Sequence, residues 1–335
     1  MNNINTVLYA GNPLGPANIS ANTKDVYDSN FNTILLGLFH IGRGPGEKNP
    51  PHQQIGDIVF NNPDDPVDRG VIVISGEELK PAARTWPQQL KQLLKTTSGK
   101  GNVSRIGCSV GGGGGVEDYQ TIWKYFVRNG SISDDTALFK NFKALKDNFG
   151  FIDFIDFDCE EFELKDYPAY SWTQTLTAFG NMLKDIGFSI TFCPYKKKQI
   201  PKWMDVLKSL YASKEEPTVL WMNLQCYDGG EGNEPADWAK AVNDMKRGID
   251  GASFIVPGLW CCNTDKPECG SVPTAVQTQF GSWKTDKEKP VALRGGFIWN
   301  YEDILANQNS TACDPEYTYP KPALAYHNAI MNALS

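Results

Sequence analysis

The sequence lacks the segments that membrane-spanning and conventionally exported chains carry. No apolar run approaches about 18 residues, the length of a spanning helix. The first residues, MNNINTVLYAGN, lack a cationic segment followed by an apolar core, so no signal peptide is recognisable. We expect no contact with a membrane. The favoured expectation for location is a protein that leaves the cell by another route or whose leader has been removed. A protein that stays inside the cell is the alternative.

Positive charge is also scarce. Lysine and arginine number 32 against 39 aspartates and glutamates, which gives a net charge of −7. A nucleic-acid partner is therefore not expected, because no basic face is available to replace the counterions of a phosphate backbone. The one basic run, Lys196 to Lys198, is interpreted as a solvated loop rather than a phosphate site.

Histidine and cysteine are too few, or wrongly spaced, for a metal centre. The three histidines form no HExxH pattern, and WCCNTDKPEC fits no common zinc spacing, so we expect neither a metal nor a cofactor. Four cysteines fall in predicted strands and are expected to act as small buried apolar side chains: Cys108, Cys159, Cys193 and Cys226. The other four lie near predicted strand ends or in loops, where one or two disulfide bonds can form: Cys261, Cys262, Cys269 and Cys313.

Apolar residues, in contrast, are abundant and regularly placed. They make up 41% of the chain, enough for a large core. Eight short, nearly continuous apolar segments are typical of buried strands. They cover residues 6–11, 33–42, 103–111, 151–159, 188–195, 218–227, 252–261 and 292–300.

Segments with helical periodicity lie between most of these strands, and one more follows the last. They cover residues 86–95, 118–128, 136–148, 171–185, 201–213, 235–248, 272–286 and 322–335. Strands alternating with amphipathic helices indicate a parallel sheet covered by helices, and eight units favour a closed (β/α)₈ barrel of the TIM type. Such barrels reach this length as one unit, so we expect a single domain over 1–335. The segment 43–76 is interpreted as a loop, with a hairpin after the second strand.

Polar and aromatic residues follow the ends of several predicted strands. In (β/α)₈ barrels the chemistry lies at the C-terminal ends of the strands, so these residues are expected to meet there. The glycine run 111–115 lacks the Gly-Lys-Ser/Thr ending of a phosphate loop and is interpreted as a rim turn. The converging residues are Ser109, Asp158 to Glu160, Tyr195, Tyr227, Asp228, Trp260 and Trp299.

The fourth predicted strand, FIDFIDFDCEEF, carries acids between apolar residues, although aspartate is depleted from strands. Side chains alternate across a strand, so Asp156, Asp158 and Glu160 share one face at spacings of about 6.6 Å. Ile155 on the opposite face would pack against helices. Like charges inside a barrel cannot all ionise cheaply, so at least one carboxyl should have a raised pKa, as a general acid requires. A calcium site or a solvated acidic edge would not interleave these acids with Phe and Ile.

This strand resembles the D-x-x-D-x-D-x-E signature of glycoside hydrolase family 18, the chitinases and related endo-β-N-acetylglucosaminidases, with Asp153 first and Glu160 last. The resemblance extends over the whole barrel. It includes Ser-x-Gly-Gly at Ser109 to Gly112 on strand three, Tyr227-Asp228 on strand six and Trp299 on strand eight. The sequence departs from the common pattern at Phe154, Cys159 and Gln225, which affects the expected substrate subclass more than the chemistry.

The resemblance implies substrate-assisted hydrolysis with retention, which family 18 uses in place of a protein nucleophile. Glu160 would protonate the leaving oxygen, Asp158 would orient the substrate acetamido group, and Asp156 would lie behind Asp158. Tyr227 would donate its hydroxyl to the acetamido oxygen, and Asp228 would support the sugar or Glu160. Trp299 would form the floor under the reacting ring. Further candidate substrate contacts are Gln225, Tyr195, Ser109, Gly111 and Trp260. Glu161, out of phase with the acids, is interpreted as a bystander.

The expected substrate is a β-1,4-linked N-acetylglucosamine polymer, chitin or its oligosaccharides. The predicted strands seven and eight are separated by about one helix and short loops, too little for a large insertion domain. An open groove and endo-type cutting are therefore expected. Two alternatives stay open: an endo-β-N-acetylglucosaminidase acting on the N-glycan core, and a non-catalytic, chitin-binding, lectin-like relative. The intact Glu160 disfavours the second. The barrel could also serve within a larger assembly.

Overall fold

Eleven strands occur in the part of the chain that the computed structural model describes, residues 4–44, 53–61, 70–95, 102–113, 116–127, 130–160, 171–211, 218–230, 232–264, 270–307 and 321–335. In chain order they are β1 Asn5–Ala10, β2 Thr33–Ile41, β3 Ile58–Phe60, β4 Val71–Ser75, β5 Glu78–Leu79, β6 Arg105–Gly111, β7 Ile152–Asp158, β8 Ser189–Phe192, β9 Val219–Gln225, β10 Ile255–Trp260 and β11 Gly295–Trp299.

Eight of these strands close into a barrel. Around the ring the order is β1, β2, β6, β7, β8, β9, β10 and β11, and β1 pairs with both β2 and β11. Every pairing within the ring is parallel. The predicted (β/α)₈ barrel is therefore confirmed, and each predicted strand overlaps one barrel strand.

A small antiparallel extension grows from the end of β2. There β3 pairs with β2, β4 pairs with β3, and β5 pairs with β4, all antiparallel. This extension contains the hairpin that the sequence predicts after the second strand.

The described helices are short to medium in length and lie mainly between the barrel strands. In chain order they are α1 Ile19–Asp28, α2 Trp86–Lys91, α3 Val116–Phe126, α4 Ala137–Asn148, α5 Ser171–Ile186, α6 Ile200–Leu210, α7 Pro235–Asp244, α8 Gly251–Phe254, α9 Pro273–Thr285, α10 Tyr301–Ala306 and α11 Pro322–Leu334. None of them is long and apolar enough to cross a membrane. Residues 261–294, between β10 and β11, carry α9 and no insertion domain within the described residues.

Helix α1 is not among the helices that the sequence predicts. Its segment ISANTKDVYD is mostly polar, and only Ile19 and Val26 are buried. Two buried apolar residues give a weak periodic pattern, so the position of α1 depends on its packing against neighbouring helices, including α2 and α11, rather than on its own sequence.

The alternation of side chains on β7 divides the core into two layers. Ile155 and Phe157 belong to the layer between barrel and helices, whereas Phe154 packs inside the barrel with Val7 and Phe297. Asp156 and Asp158 share the inward face with Phe154 and are almost completely buried. The predicted division of this strand into an acidic inner face and an apolar outer face is confirmed.

The cysteines divide into a buried free set and a bonded one. Five are buried and unpaired: Cys108, Cys159, Cys193, Cys226 and Cys261. Cys262 is disulfide-bonded. The free thiol of Cys261 excludes the predicted possibility of two disulfides among the last four cysteines. Cys269 and Cys313 lie outside the described residues.

Candidate active site

Asp156 lies at the centre of a polar cluster inside the barrel. Oδ2 accepts hydrogen bonds from the hydroxyls of Tyr9 at 2.9 Å and Ser109 at 2.8 Å. Oδ1 accepts from the hydroxyl of Thr191 at 2.6 Å and the amide of Asn223 at 3.0 Å. Strand register explains two of these contacts, because Ser109 on β6 and Thr191 on β8 lie directly opposite Asp156 on β7.

Two opposing effects act on the pKa of Asp156. Complete burial raises the pKa, and the four hydrogen bonds oppose this because they stabilise the carboxylate. The amide of Asn223 is itself oriented, because its oxygen accepts a 2.8 Å hydrogen bond from the Trp221 indole. Both oxygens of Asp156 are thus held in place, and the carboxyl group is a fixed part of the barrel interior.

Asp158, the last residue of β7, lies nearer the barrel mouth. It is 3% exposed, and Oδ1 accepts a 3.1 Å hydrogen bond from Nε2 of Gln225. Burial raises its pKa well above the ordinary value, and the charges of Glu160 and then Asp156 raise it further. The neighbouring Cys193 thiol acts in the opposite direction and lowers this pKa.

Glu160 lies just past the end of β7 and is partly exposed. Its Oε1 is 3.3 Å from Nε2 of Gln225, so one amide group contacts both carboxyl groups. The side chain of Gln199 donates a hydrogen bond to the backbone carbonyl of Glu160. Oε2 faces Gly113, where an added Cβ would be 3.8 Å away. Glu160 is therefore held at the mouth of the barrel with its carboxyl group beside that of Asp158.

The carboxyl groups open into a groove. One cavity of about 250 Å³ contains eight of the predicted site residues: Asp158, Glu160, Tyr195, Gln225, Tyr227, Asp228, Trp260 and Trp299. A second cavity of about 290 Å³ shares Leu38, Gly113 and Trp299 with the first. Trp299 therefore lies between two halves of one groove, beside the two carboxyl groups.

Contacts between aromatic rings hold the aromatic side chains that line the groove. The Trp299 ring lies 5.3 Å from the ring of Tyr9, and the Tyr227 ring lies 6.0 Å from that of Trp260. Burial is the main cause that raises the pKa of Tyr227 well above its usual value, and nearby acidic groups add to it. The Tyr227 hydroxyl consequently stays protonated at ordinary pH and is able to donate a hydrogen bond.

The turn after β9 has a left-handed backbone that shapes the groove wall. Asp228 has φ of 37° and Gly229 of 98°. The Tyr195 hydroxyl donates a 2.8 Å hydrogen bond to the backbone carbonyl of Asp228, and a Cβ at Gly229 would overlap this tyrosine ring. Glycine is therefore required at 229 for conformation and for space. The Tyr195 hydroxyl orders the turn, while its side chain lines the groove.

Trp260 is anchored by a residue that lies after β11. Its indole N–H donates a 2.7 Å hydrogen bond to Oδ2 of Asp303, which also accepts from the amides of Asn263 and Asn300, each at 3.2 Å. The contact fixes an aromatic ring at the edge of the groove.

Three predicted site residues lie behind the groove instead of lining it. Asp156 and Ser109 are completely buried and bonded to each other. Gly111, with φ of 110°, packs so closely on the backbone oxygen of Asp158 that no side chain fits there. Glu161 and the glycines 114 and 115 lie outside the described residues.

Sequence reasoning missed four residues that contact the acids, namely Tyr9, Cys193, Thr191 and Asn223. All four lie at inward positions on or next to barrel strands and carry a hydrogen-bonding group. Their inward positions in the strand alternation are the signal from which the sequence could have indicated contact with the acids. Within the described ranges, no group of three or more His, Cys, Asp or Glu side chains is arranged to hold a metal ion.

The fold is similar to that of proteins of known structure. A GH18 chitinase from Pseudoalteromonas aurantia is 13% identical over 98% of this chain and 99% of its own, with a TM-score of 0.54. A chitinase from Chromobacterium violaceum is 11% identical over 99% of both chains, with a TM-score of 0.51. Catalytic-site mutants of active domain 2 of a thermostable chitinase from Pyrococcus furiosus, complexed with chito-oligosaccharides, are 10% identical over 98% of this chain and 94% of theirs, with a TM-score of 0.51.

At these identities the likeness concerns the fold. No protein-family model matches the sequence, and no curated protein matches it either. The shared architecture is a chitinase-like (β/α)₈ barrel.

Proposed function

We propose that the protein is a retaining glycoside hydrolase that cleaves β-1,4-linked N-acetylglucosamine polymers by substrate-assisted catalysis, with residues 1–335 as one catalytic domain. The observation that carries the proposal is the bridging of Asp158 and Glu160 by the amide of Gln225. Asp158 is the last residue of β7 and Glu160 follows two positions later, so both carboxyl groups approach a bound sugar from one side. This arrangement suits a reaction in which the second participant is a group of the substrate itself.

Glu160 is the general acid of this mechanism. It transfers its proton to the glycosidic oxygen while the bond from that oxygen to the anomeric carbon breaks. The carbonyl oxygen of the 2-acetamido group forms a bond to the same carbon and gives an oxazolinium ion. Glu160, now ionised, then removes a proton from a water molecule whose oxygen bonds to the anomeric carbon. The bond from that carbon to the acetamido oxygen breaks at the same time, so the configuration is inverted twice and retained overall.

Asp158 and Tyr227 act on the acetamido group. Asp158 accepts a hydrogen bond from its N–H and stabilises the positive charge of the oxazolinium ion, and the Tyr227 hydroxyl donates to its carbonyl oxygen. Asp156 supports Asp158 from the barrel interior. Trp299 forms the floor of the subsite, where the face of the sugar stacks on the indole. Asp228, Gln225, Tyr195 and Trp260 are the further substrate contacts in this half of the groove.

The groove supports endo-type cutting. Cavities lie on both sides of Trp299, so a chain can extend in both directions from the cleaved bond. No insertion domain forms a wall after β10 in the described residues. The Pyrococcus furiosus chitinase of similar fold is complexed with chito-oligosaccharides, which supports oligosaccharides of this kind as the ligands of the groove.

The decisive experiment is the substitution Glu160→Gln, assayed on a chitooligosaccharide with a chromogenic leaving group. Loss of the general acid should lower kcat by about 10² to 10⁴-fold with little change in binding. Asp153→Asn is the matched control, because Asp153 belongs to the same strand but is exposed at its opposite end. Activity of Glu160→Gln close to that of the parent protein would contradict the proposal.

Two further assays separate the alternatives. A thiazoline mimic of the oxazolinium ion should inhibit competitively, and absence of inhibition would argue against acetamido participation. Chitooligosaccharides should be cleaved faster than a high-mannose glycopeptide, whereas the reverse order would identify an endo-β-N-acetylglucosaminidase. Binding of chitooligosaccharides without any hydrolysis would identify the lectin-like alternative.

A further inference from the structure

The far half of the groove, beyond Trp299, would hold the sugar next to the reacting one. It is the cavity of about 290 Å³ over the ends of β1, β2 and β11, and its described lining includes Gly11, Asn61 and Glu302. The general acid Glu160 lines the other cavity. Because that acid protonates the leaving oxygen, a sugar in the far half stays bonded to the reacting sugar after cleavage.

Three oxygen atoms surround one open space in the far half, beside the backbone of Gly11. A Cβ at this position would lie 2.9 Å from Oε2 of Glu302, 3.0 Å from the backbone oxygen of Gly37 and 3.9 Å from Oδ1 of Asn61. A side chain at position 11 would therefore press against the carboxyl group of Glu302. Glycine leaves the space between these oxygens to a ligand, and the chemical group that suits oxygen acceptors is a hydrogen-bond donor.

The Asn61 amide is held at the wall of this space. Asn61 follows β3 with a left-handed backbone, φ of 66°, and its N–H donates a 2.8 Å hydrogen bond to the carbonyl of Leu38. The residue is 8% exposed, and its side-chain amide has no hydrogen-bond partner among the described residues. Its accessible part faces the cavity that it lines. Burial of an unsatisfied amide is unfavourable, so a ligand that bonds to this amide gains affinity.

Glu302 supplies negative charge to the far half. It lies in the first turn of α10 and is exposed. The two basic residues of the described lining are each paired with an acid of α3. Arg43 forms a 3.1 Å ion pair with Glu117, and Nδ1 of His40 is 2.9 Å from Oδ2 of Asp118. The net charge of −7 also favours a cationic chain over a neutral one.

From these contacts we propose that the far half of the groove binds a glucosamine unit, so that the substrate is partially deacetylated chitin. The carboxylate of Glu302 and Oδ1 of Asn61 accept hydrogen bonds from the ammonium group. This group has three N–H donors and no acceptor, and its bond to a carboxylate is charge-assisted. An acetamido group offers one N–H and carries an acceptor oxygen of its own. The inference rests on the proposed function, in which only the sugar over Trp299 must keep its acetamido group.

The first test measures binding of two disaccharides by isothermal titration calorimetry. One is glucosaminyl-β-1,4-N-acetylglucosamine, and the other is N,N′-diacetylchitobiose. Glu160→Gln is the background for every titration, so that neither disaccharide is cleaved. The background protein should bind the amine-bearing disaccharide about fivefold more tightly at low ionic strength. This preference should weaken in about 1 M salt, because an exposed ion pair is screened.

Three further variants in the same background assign the preference to its residues. Glu302→Gln should reduce it to less than about twofold, because the charged acceptor is lost. Asn61→Gly removes the amide and keeps the left-handed backbone, and should reduce the preference to about half. Glu288→Gln, at an exposed acid outside the groove, is the matched control and should leave the preference unchanged.

The second test determines the preference from the reaction, with Glu160 intact. Products of partially deacetylated chitin are sequenced by mass spectrometry. The new reducing end should be N-acetylglucosamine, and glucosamine should be enriched about fivefold at the neighbouring position. Glu302→Gln should lower this enrichment and leave the identity of the reducing end unchanged, which a merely structural effect would not do.

Equal affinity of the background protein for the two disaccharides would overturn the inference. A preference that Glu302→Gln retains would also overturn it, because the ammonium group would then be recognised elsewhere. Failure of the proposed function is distinguishable from both outcomes. In that case the parent protein would cleave neither chitin nor its deacetylated form, whereas the calorimetric preference and its loss in Glu302→Gln would remain.

Discussion

The Tyr9 hydroxyl donates a 2.9 Å hydrogen bond to Oδ2 of Asp156, although 147 positions separate the two residues in the chain. The contact exists because β1 and β7 belong to one closed barrel, three strands apart around the ring, and inward side chains from both reach the same interior space. The same tyrosine ring contacts that of Trp299, with ring centres 5.3 Å apart, so one residue connects the buried acid with the lining of the groove.

Tyr9→Phe should lower both activity and stability. The substitution removes one of four donors to a fully buried carboxyl group, which should cost about 1 to 2 kcal/mol of unfolding free energy near neutral pH. Because the Tyr9 hydrogen bond lowers the pKa of Asp156, its loss raises that pKa further. The deficit should therefore be smaller at pH 5 than at pH 8 in urea unfolding. Tyr125→Phe, at an exposed tyrosine, is the control. A deficit that is independent of pH would contradict the assignment.

Asp158→Asn should abolish hydrolysis and stabilise the fold at alkaline pH. The folded-state pKa of Asp158 lies above its unfolded value, so the unfolding free energy of the parent protein falls as pH rises between the two. Asparagine does not ionise and removes this fall. We expect a gain of about 1 to 2 kcal/mol at pH 8 that shrinks toward pH 4. Urea unfolding at pH 4, 6 and 8 measures it, with exposed Asp134→Asn as reference. Lower stability of Asp158→Asn than of the parent protein at pH 8 would contradict the premise that burial disfavours the ionised form of Asp158.

Trp299→Ala should weaken turnover more than Trp299→Phe. An indole floor contributes on the order of 2 kcal/mol of stacking, which corresponds to about a 30-fold loss in kcat/KM when it is truncated. A phenyl ring keeps part of the platform and should give an intermediate loss. Steady-state kinetics on chitooligosaccharides of increasing length provides the measurement. Equal values for the alanine variant and the parent protein would place the reacting sugar elsewhere in the groove.

Asp303→Ala should release the Trp260 ring. The substitution deletes the acceptor of a 2.7 Å hydrogen bond from the indole N–H, worth about 1 kcal/mol. KM for longer oligosaccharides should rise about fivefold. Asp303→Asn keeps an acceptor oxygen and should stay close to the parent protein. If both variants have the same KM as the parent, the ring does not depend on this contact for its position.

How far sequence reasoning reached is clearest on β7. Alternation alone placed Asp156, Asp158 and Glu160 on the inner face, and the structure has Asp156 and Asp158 buried there with Glu160 at the mouth. Alternation does not distinguish the three acids from one another, and their separate expected roles came only from the family resemblance. The hydrogen bonds that distinguish Asp156 from Asp158 come from other strands, through Thr191, Asn223 and Gln225.

The surroundings of Cys193 could not be predicted from the sequence. In sequence it looks like the other strand cysteines, a small apolar residue in a buried segment. Only the closed barrel shows that its thiol meets Asp158 and Gln225, whereas Cys108 meets helices.

The sequence by itself determined the fold class, the strand order and the inward phase of the acids, because strand and helix periodicities are local properties of a chain. The tertiary structure decided which donor reaches which carboxyl oxygen, which residues line the groove, and which indole is anchored. Those outcomes depend on register between strands that are distant in the chain, and a shift of one residue in a strand would turn every one of its side chains to the other face.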